Sequence, residues 1–177
     1  ARGDVSGAIR AYDDALSATR DARDNASAIT ALTGKGRVHV FNGNLDAAKK
    51  LYAEAIAIAQ TVNDKTQKAK ALDSLADVFI IQGDLSSANR TCQEVRAINE
   101  AIGGSSIKTG SWRSFVRLLL ETGRAAQAES LARDAAREST KGRLLVSQAD
   151  AENHLALSLL AQGRPGEAQD AIARAVV

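Results

Sequence analysis

Gly3, Gly43, Gly83, Gly123 and Gly163 stand 40 residues apart along the whole chain, with neither insertion nor deletion between them. Five residues after each comes an alanine, at Ala8, Ala48, Ala88, Ala128 and Ala168. Further along, Ala15, Ala55, Ala135 and Ala175 recur, with Val95 in the third copy. Between those columns lies a position held by Tyr12, Tyr52, Cys92, Ala132 and Ile172. A repeat of this length is one small unit that cannot cover its apolar face alone, and stacking of successive units buries a continuous core.

Each unit reads as a pair of helices. The segments after the glycines, Leu45 to about Val62, Leu85 to about Ile102 and Arg124 to about Glu138, carry apolar residues at spacings of three and four. Asp4, Asn44 and Asp84 stand at starts of such segments and are expected to accept bonds from the free N–H groups of the first turn. Pro165 falls in the first turn of the last one, where its missing N–H costs nothing. The other helix of each pair ends at the glycine, which turns the chain at positive φ. These helices are expected at roughly Ala26 to Asn42, Thr66 to Gln82, Lys108 to Thr122 and Leu144 to Gln162. Asn63-Asp64 and Gly103-Gly104-Ser105-Ser106 make polar breaks between pairs. Small alanines where two helices cross permit close axial approach. With 45% hydrophobic residues, 3% aromatic and a single proline, the expected class is all-α.

Composition also narrows the function. A net charge of +2 argues against a dedicated nucleic-acid binder. The longest apolar stretches are of the Val78-Phe79-Ile80-Ile81 kind, far short of the ~18 residues of a membrane span. One cysteine leaves no disulfide framework within the chain. The sequence has no Met, and the expectation is a section of a longer protein.

The columns resemble the tetratricopeptide repeat. Leu32 with Gly36, Leu72 with Leu75-Ala76, Trp112 with Phe115, and Leu155-Ala156 match the Trp/Leu-x-x-Leu-Gly signature of that family's first helix. Ala8-Tyr12-Ala15 and Ala48-Tyr52-Ala55 match the Ala-x-x-x-Phe/Tyr-x-x-Ala signature of its second helix. The common form has a period of ~34 residues. The longer period here resembles the variant found in kinesin light chain, Pins-type polarity scaffolds, peptide-sensing bacterial regulators and the maltose-regulator type of transcription activator. The resemblance implies a right-handed superhelical solenoid of antiparallel helix pairs over essentially the whole chain. Residues 1–24 would be the second helix of an incomplete repeat; 25–62, 63–102, 103–142 and 143–177 would be helix pairs, the last truncated. Three positions depart from the family pattern: Lys35 where Leu is usual, Glu152 where Trp or Leu is usual, and Val116 in place of a small residue.

Motifs that carry chemistry are not met. Gly103-Gly104-Ser105-Ser106-Ile107-Lys108-Thr109 superficially suggests a phosphate-cradling loop. It has Ile107 where glycine must precede the lysine, Ile102 where the first glycine belongs, and no preceding strand. Gly34-Lys35-Gly36 fails the same test inside a helix. His39, His154 and Cys92 show no metal-ligand spacing, and Cys92 reads as a small buried hydrophobe. No Gly-x-Ser-x-Gly elbow occurs, and the carboxylates are scattered at exposed phases such as Asp13, Asp14 and Glu54. The chain is expected to be no enzyme and to need neither cofactor nor metal.

In the family, the concave face is lined mainly by the first helix of each pair, which picks out sets of equivalent positions. These are Thr30, Lys70, Gly110 and Asp150; then Thr33, Asp73, Arg113 and Asn153; then Arg37, Asp77, Arg117 and Leu157. Within one helix they share a face. The candidate groove residues are therefore Arg37, Lys70, Asp73, Asp77, Arg113, Arg117 and Asn153. Arg113 and Arg117, one turn apart, could fork onto a carboxylate of a bound peptide. Equally, Arg113 could pair with Asp73, and Arg117 or Arg37 with Asp77, neutralising a solvated face for ~0–1 kcal/mol each. Val40, Ile80, Leu120 and Leu160 form an apolar stripe that reads either as packing between repeats or as a groove floor for a partner helix. Trp112 falls in a core column.

The resemblance implies a non-catalytic, cytoplasmic protein–protein interaction module that binds a peptide or protein segment in its concave groove and contacts neither nucleic acid nor membrane. The alternative is a sensory or regulatory array of a multidomain bacterial regulator, responding to a small ligand or signal peptide.

Overall fold

The structure, a computed structural model, describes residues 4–103 and 111–175, apart from the side chains of Arg20 and Asp21. Among these residues are nine α-helices and no strand: α1 (Val5–Ala22), α2 (Asn25–Phe41), α3 (Leu45–Thr61), α4 (Lys65–Ile81), α5 (Leu85–Ala101), α6 (Arg113–Glu121), α7 (Ala125–Lys141), α8 (Leu145–Leu160) and α9 (Pro165–Ala175). They fall into two compact units, residues 1–102 and 103–177. In the first, each of α1 to α4 packs on the next, and α2 also touches α4. In the second, α6 to α9 pack in the same order, and α6 also touches α8. First helices of successive pairs thus lie side by side within each unit. Of the helix expected from Lys108, the part before Ser111 lies outside the described residues, as do Gly104, Ser105 and Ser106 of the glycine-serine break.

Helix ends follow the expected chemistry with one correction. Asp4 Oδ1 accepts from the Gly7 N–H at 2.7 Å and Asp84 Oδ1 from the Ser87 N–H at 3.0 Å. Asn44 caps nothing with its side chain; a neutral amide is a weaker acceptor there than a carboxylate facing the positive end of a helix. Two caps were not anticipated: Asp24 on the Ser27 N–H of α2 at 3.1 Å and Asp64 on the Gln67 N–H of α4 at 2.9 Å. Pro165 opens α9. Gly43, Gly83, Gly123 and Gly163 have φ between 72° and 77°. The N–H that follows each reaches back to the last turn, as from Asn44 to the His39 carbonyl at 2.8 Å. Of the second helices, α1, α3 and α7 end through Arg23, Asn63 and Arg143, at φ of 52° to 54° without the help of glycine, and α5 ends at Gly103 with φ of 64°.

The alanine columns mark the helix crossings. Ala48, Ala88 and Ala128 are wholly buried, and Ala168 is 1% exposed. Ala48 packs with Tyr52 and Val78; Ala128 packs with Trp112 and Val116. On α2 two glycines face tyrosine rings: a Cβ on Gly36 would lie 2.5 Å from the Tyr52 ring and one on Gly34 2.5 Å from the Tyr12 ring.

Two of the three family departures are resolved as ion pairs between helices. The Lys35 ammonium donates to Asp13 of α1. Glu152, 6% exposed, accepts two bonds from the Arg174 guanidinium of α9, at 3.1 and 3.0 Å. That fork satisfies both oxygens of a carboxylate standing in a column otherwise filled by Leu32, Leu72 and Trp112.

Candidate functional site

In the first unit the candidates lie on α2 and α4. Lys70, Asp73 and Asp77 recur at spacings of three and four and so share one face of α4. Lys70 is exposed and Asp77 half-buried, but Asp73 is only 4% exposed, so its charge sits within the packing rather than on an open surface. Both aspartates are partnered. Arg37 of α2 is exposed. Arg37 and Asp77 both act on the Tyr52 hydroxyl, whose pKa is pushed up to about 12 chiefly by burial, with Arg37 opposing and Asp77 adding to the rise. The structure therefore brings Arg37 and Asp77 from adjacent first helices to one locality.

In the second unit the candidates lie on α6 and α8. Arg113 Nη1 donates to Asp150 Oδ2 at 3.1 Å, with the two side chains 41% and 42% exposed. Asp150, one pair later in the same unit, is a partner that the sequence pattern did not single out. The available signal was the column placement of Asp150, one turn before Asn153. Arg117 is half-buried and partnered, Asn153 is exposed, and Leu157 is 52% exposed one turn beyond. Beneath this face Trp112 is buried and meets the His154 ring edge-on, with centroids 5.1 Å apart and planes at 73°. His154 Nδ1 lies 2.8 Å from the Asp150 carbonyl. The α6–α8 contact is thus an aromatic layer below an open, mixed-charge surface. Gly110 lies outside the described residues.

The apolar stripe is not uniform: Ile80 is 6% exposed, Val40 and Leu120 are half-buried, and Leu160 is 49% exposed. A polar fastening not visible in the sequence joins α7 to the turn between α8 and α9. Glu129 accepts from Gln162 Nε2 at 2.8 Å, Arg133 Nη2 at 2.7 Å and Arg164 Nη1 at 2.8 Å. The Gln162 bond, then that from Arg133, holds the Glu129 carboxyl below its usual 4.5. Among the described residues no group of three or more His, Cys, Asp or Glu is placed to hold a metal ion, and no helix is long and apolar enough to cross a membrane.

Residues 27–101 match the family described as tetratricopeptide repeat. No curated protein matches the chain. Among solved structures the chain is similar to a Podosopora anserina protein described as kinesin light chain nearly identical TPR-like repeats. Identity is 19% over 98% of this chain and 86% of that one, with a TM-score of 0.59. BtubC (BKLC) from P. vanneervenii is 17% identical over 98% of this chain and 72% of that one, with a TM-score of 0.68. The MamA protein is 19% identical over 99% and 82%, with a TM-score of 0.51. At these identities the likeness is one of fold.

Proposed function

Since residues 27–101 match the tetratricopeptide repeat family, whose repeats generally mediate protein–protein interaction, we propose that this chain is a non-catalytic module binding a peptide or protein segment on the face presented by its first helices. The observation that carries the reading is the α6–α8 surface. There Arg113 is held half-exposed by Asp150, with Arg117 one turn along and Asn153 and Leu157 open beside it. A guanidinium already oriented by one carboxylate loses less freedom on engaging a second. The ligand of the second unit is accordingly an acidic segment with an apolar residue against Leu157. In the first unit Arg37, Lys70 and Asp77 are the corresponding contacts, with Asp73 holding the charge balance beneath them. The reading takes the module as cytoplasmic, engaging protein rather than nucleic acid or lipid.

The test is calorimetry with a library of acidic peptides against the whole chain. Replacing Arg113 and Arg117 together by Glu should weaken the best binder about tenfold or more, because each charge-assisted bond contributes ~1.5–3 kcal/mol. Far-UV helicity should be unchanged. Equal affinity in the double variant would remove both arginines from the site.

A further inference from the structure

Two cavities of the first unit are one site repeated 40 residues on. The first, about 370 Å³, lies between α1, the start of α2, and α3, and includes Leu16, Leu32, Ile58 and Glu54 in its lining. The second, about 320 Å³, lies between α3, the start of α4, and α5, and includes Asp64, Lys68, Glu94 and Ile98. In register, Glu54 corresponds to Glu94, Ile58 to Ile98, and Ala28 to Lys68. The second copy supplies its own counter-ion, with Lys68 Nζ 2.9 Å from Glu94 Oε1 and the lysine side chain only 22% exposed. The first copy keeps the carboxylate and lacks the ammonium. Ala28 lines its wall, and among the described residues no ion pair reaches Glu54.

Among the described residues, the other charges at the first cavity do not replace that ammonium. Asp24 is engaged by the Ser27 N–H as the cap of α2. Arg23, exposed at the turn with φ of 52°, lies beyond ion-pair distance of Glu54. Below them Leu16 and Leu32 are 9% and 2% exposed and give an apolar floor. A cavity of this size falls at the low end of ligand clefts, ~300–1,000 Å³. Its chemistry is an alkyl-lined slot with one open carboxylate at its edge.

We propose that this cavity binds the side chain of a lysine carried by a partner polypeptide. The butyl stem lies over Leu16, Leu32 and Ile58, and the ammonium rests on Glu54 in the place that Lys68 fills one repeat later. A long aliphatic stem buried under a solvated charge is the usual way a lysine covers apolar surface. An exposed pair contributes only ~0–1 kcal/mol, too little to retain a free amine. The lysine therefore arrives on a segment whose other contacts supply the affinity. The site shares no residue with the first-helix face and stands independently of the function proposed above.

The test uses the whole chain, labelled for heteronuclear NMR, and a short peptide with one central lysine between leucines. Peptide addition should shift signals of Ala28, Glu54 and Ile58, while the same peptide with norleucine for lysine should not. Ala28→Lys, which supplies the ammonium internally, and Glu54→Gln, which removes the charge, should each abolish the shifts. Lys68→Ala should open the second cavity, so that Glu94 and Ile98 shift as well. Free butylammonium at the same concentration should have no effect. Equal shifts from the norleucine peptide or from butylammonium, or shifts that survive in both Ala28→Lys and Glu54→Gln, would overturn the proposal. So would an absence of shifts in the unaltered chain at millimolar peptide, or a second cavity that stays silent in folded Lys68→Ala.

Discussion

Gly34 and Gly36 lie two positions apart on α2, and their missing side chains serve different rings. Both would place a Cβ 2.5 Å from a tyrosine, Tyr12 for Gly34 and Tyr52 for Gly36. Helix propensity favours alanine over glycine at either position by about 1 kcal/mol. Tyr12 is half-buried and meets Gly34 with the far end of its side chain, including the hydroxyl, whereas Tyr52 is 1% exposed and packed against Ala48 and Val78. Gly34→Ala should therefore change stability by less than about 1 kcal/mol. Gly36→Ala should lower it by about 1–3 kcal/mol, since overpacking a rigid site outweighs the propensity gain. Urea unfolding followed by circular dichroism separates the two, and equal midpoints would show that the Tyr52 ring yields after all. Gly36 stands in a column the repeat signature makes visible from sequence. The role of Gly34 does not, because it depends on where one tyrosine ring of another helix comes to rest.

Between elements, what the sequence reveals is periodicity, and what it conceals is pairing. Apolar spacing and the glycine column located the helices, and Asp4 and Asp84 announced their caps, whereas the caps at Asp24 and Asp64 were hidden in the polar turns before α2 and α4. The partners of Arg113 and Glu152, and Gln162 and Arg164 as partners of Glu129, were hidden because they sit 22 to 37 residues away, on a rotamer choice rather than a pattern. The Glu129 fastening has a consequence for pH. Its carboxyl titrates below 4.5 when folded, so the stability it contributes is complete above that value and is lost as pH falls through the lowered one. Thermal melts between pH 6 and pH 3 should show Glu129→Gln less stable than the unaltered chain at pH 6, with the two curves converging toward pH 3. Carboxylates outside the Arg133–Arg164 cluster act equally in both proteins and cancel in the difference. Parallel curves across that range would mean the hydrogen bonds from Gln162 and Arg133 do not favour the ionised form.

Over the whole chain the 40-residue register governs buried and exposed columns differently, and this explains why the fold was legible and the site was not. The column Ala48, Ala88, Ala128 and Ala168 is alanine in every described crossing and is at most 1% exposed. The column Arg37, Asp77, Arg117 and Leu157 changes charge or polarity at every copy, and its members range from half-buried to exposed. Packing asks the same question of each repeat, so one copy predicts the next; a ligand asks a different question of each, so no copy predicts another. The cavity columns fall between these limits, with Glu54 and Glu94 kept while Ala28 and Lys68 differ. If a shared register means shared packing, equivalent substitutions in the two units should have similar effects. Ala48→Leu and Ala128→Leu each force a larger, branched side chain into a crossing that is 0% exposed, and each should cost about 1–3 kcal/mol. Hydrogen exchange should show the loss in α3 with α2 and α4 for the first and in α7 with α6 and α8 for the second, because a repeat packs only on its neighbours. A large loss for one with none for the other would show that the recurring alanines hold different crossings in the two units, and that the register is a feature of sequence without a common packing behind it.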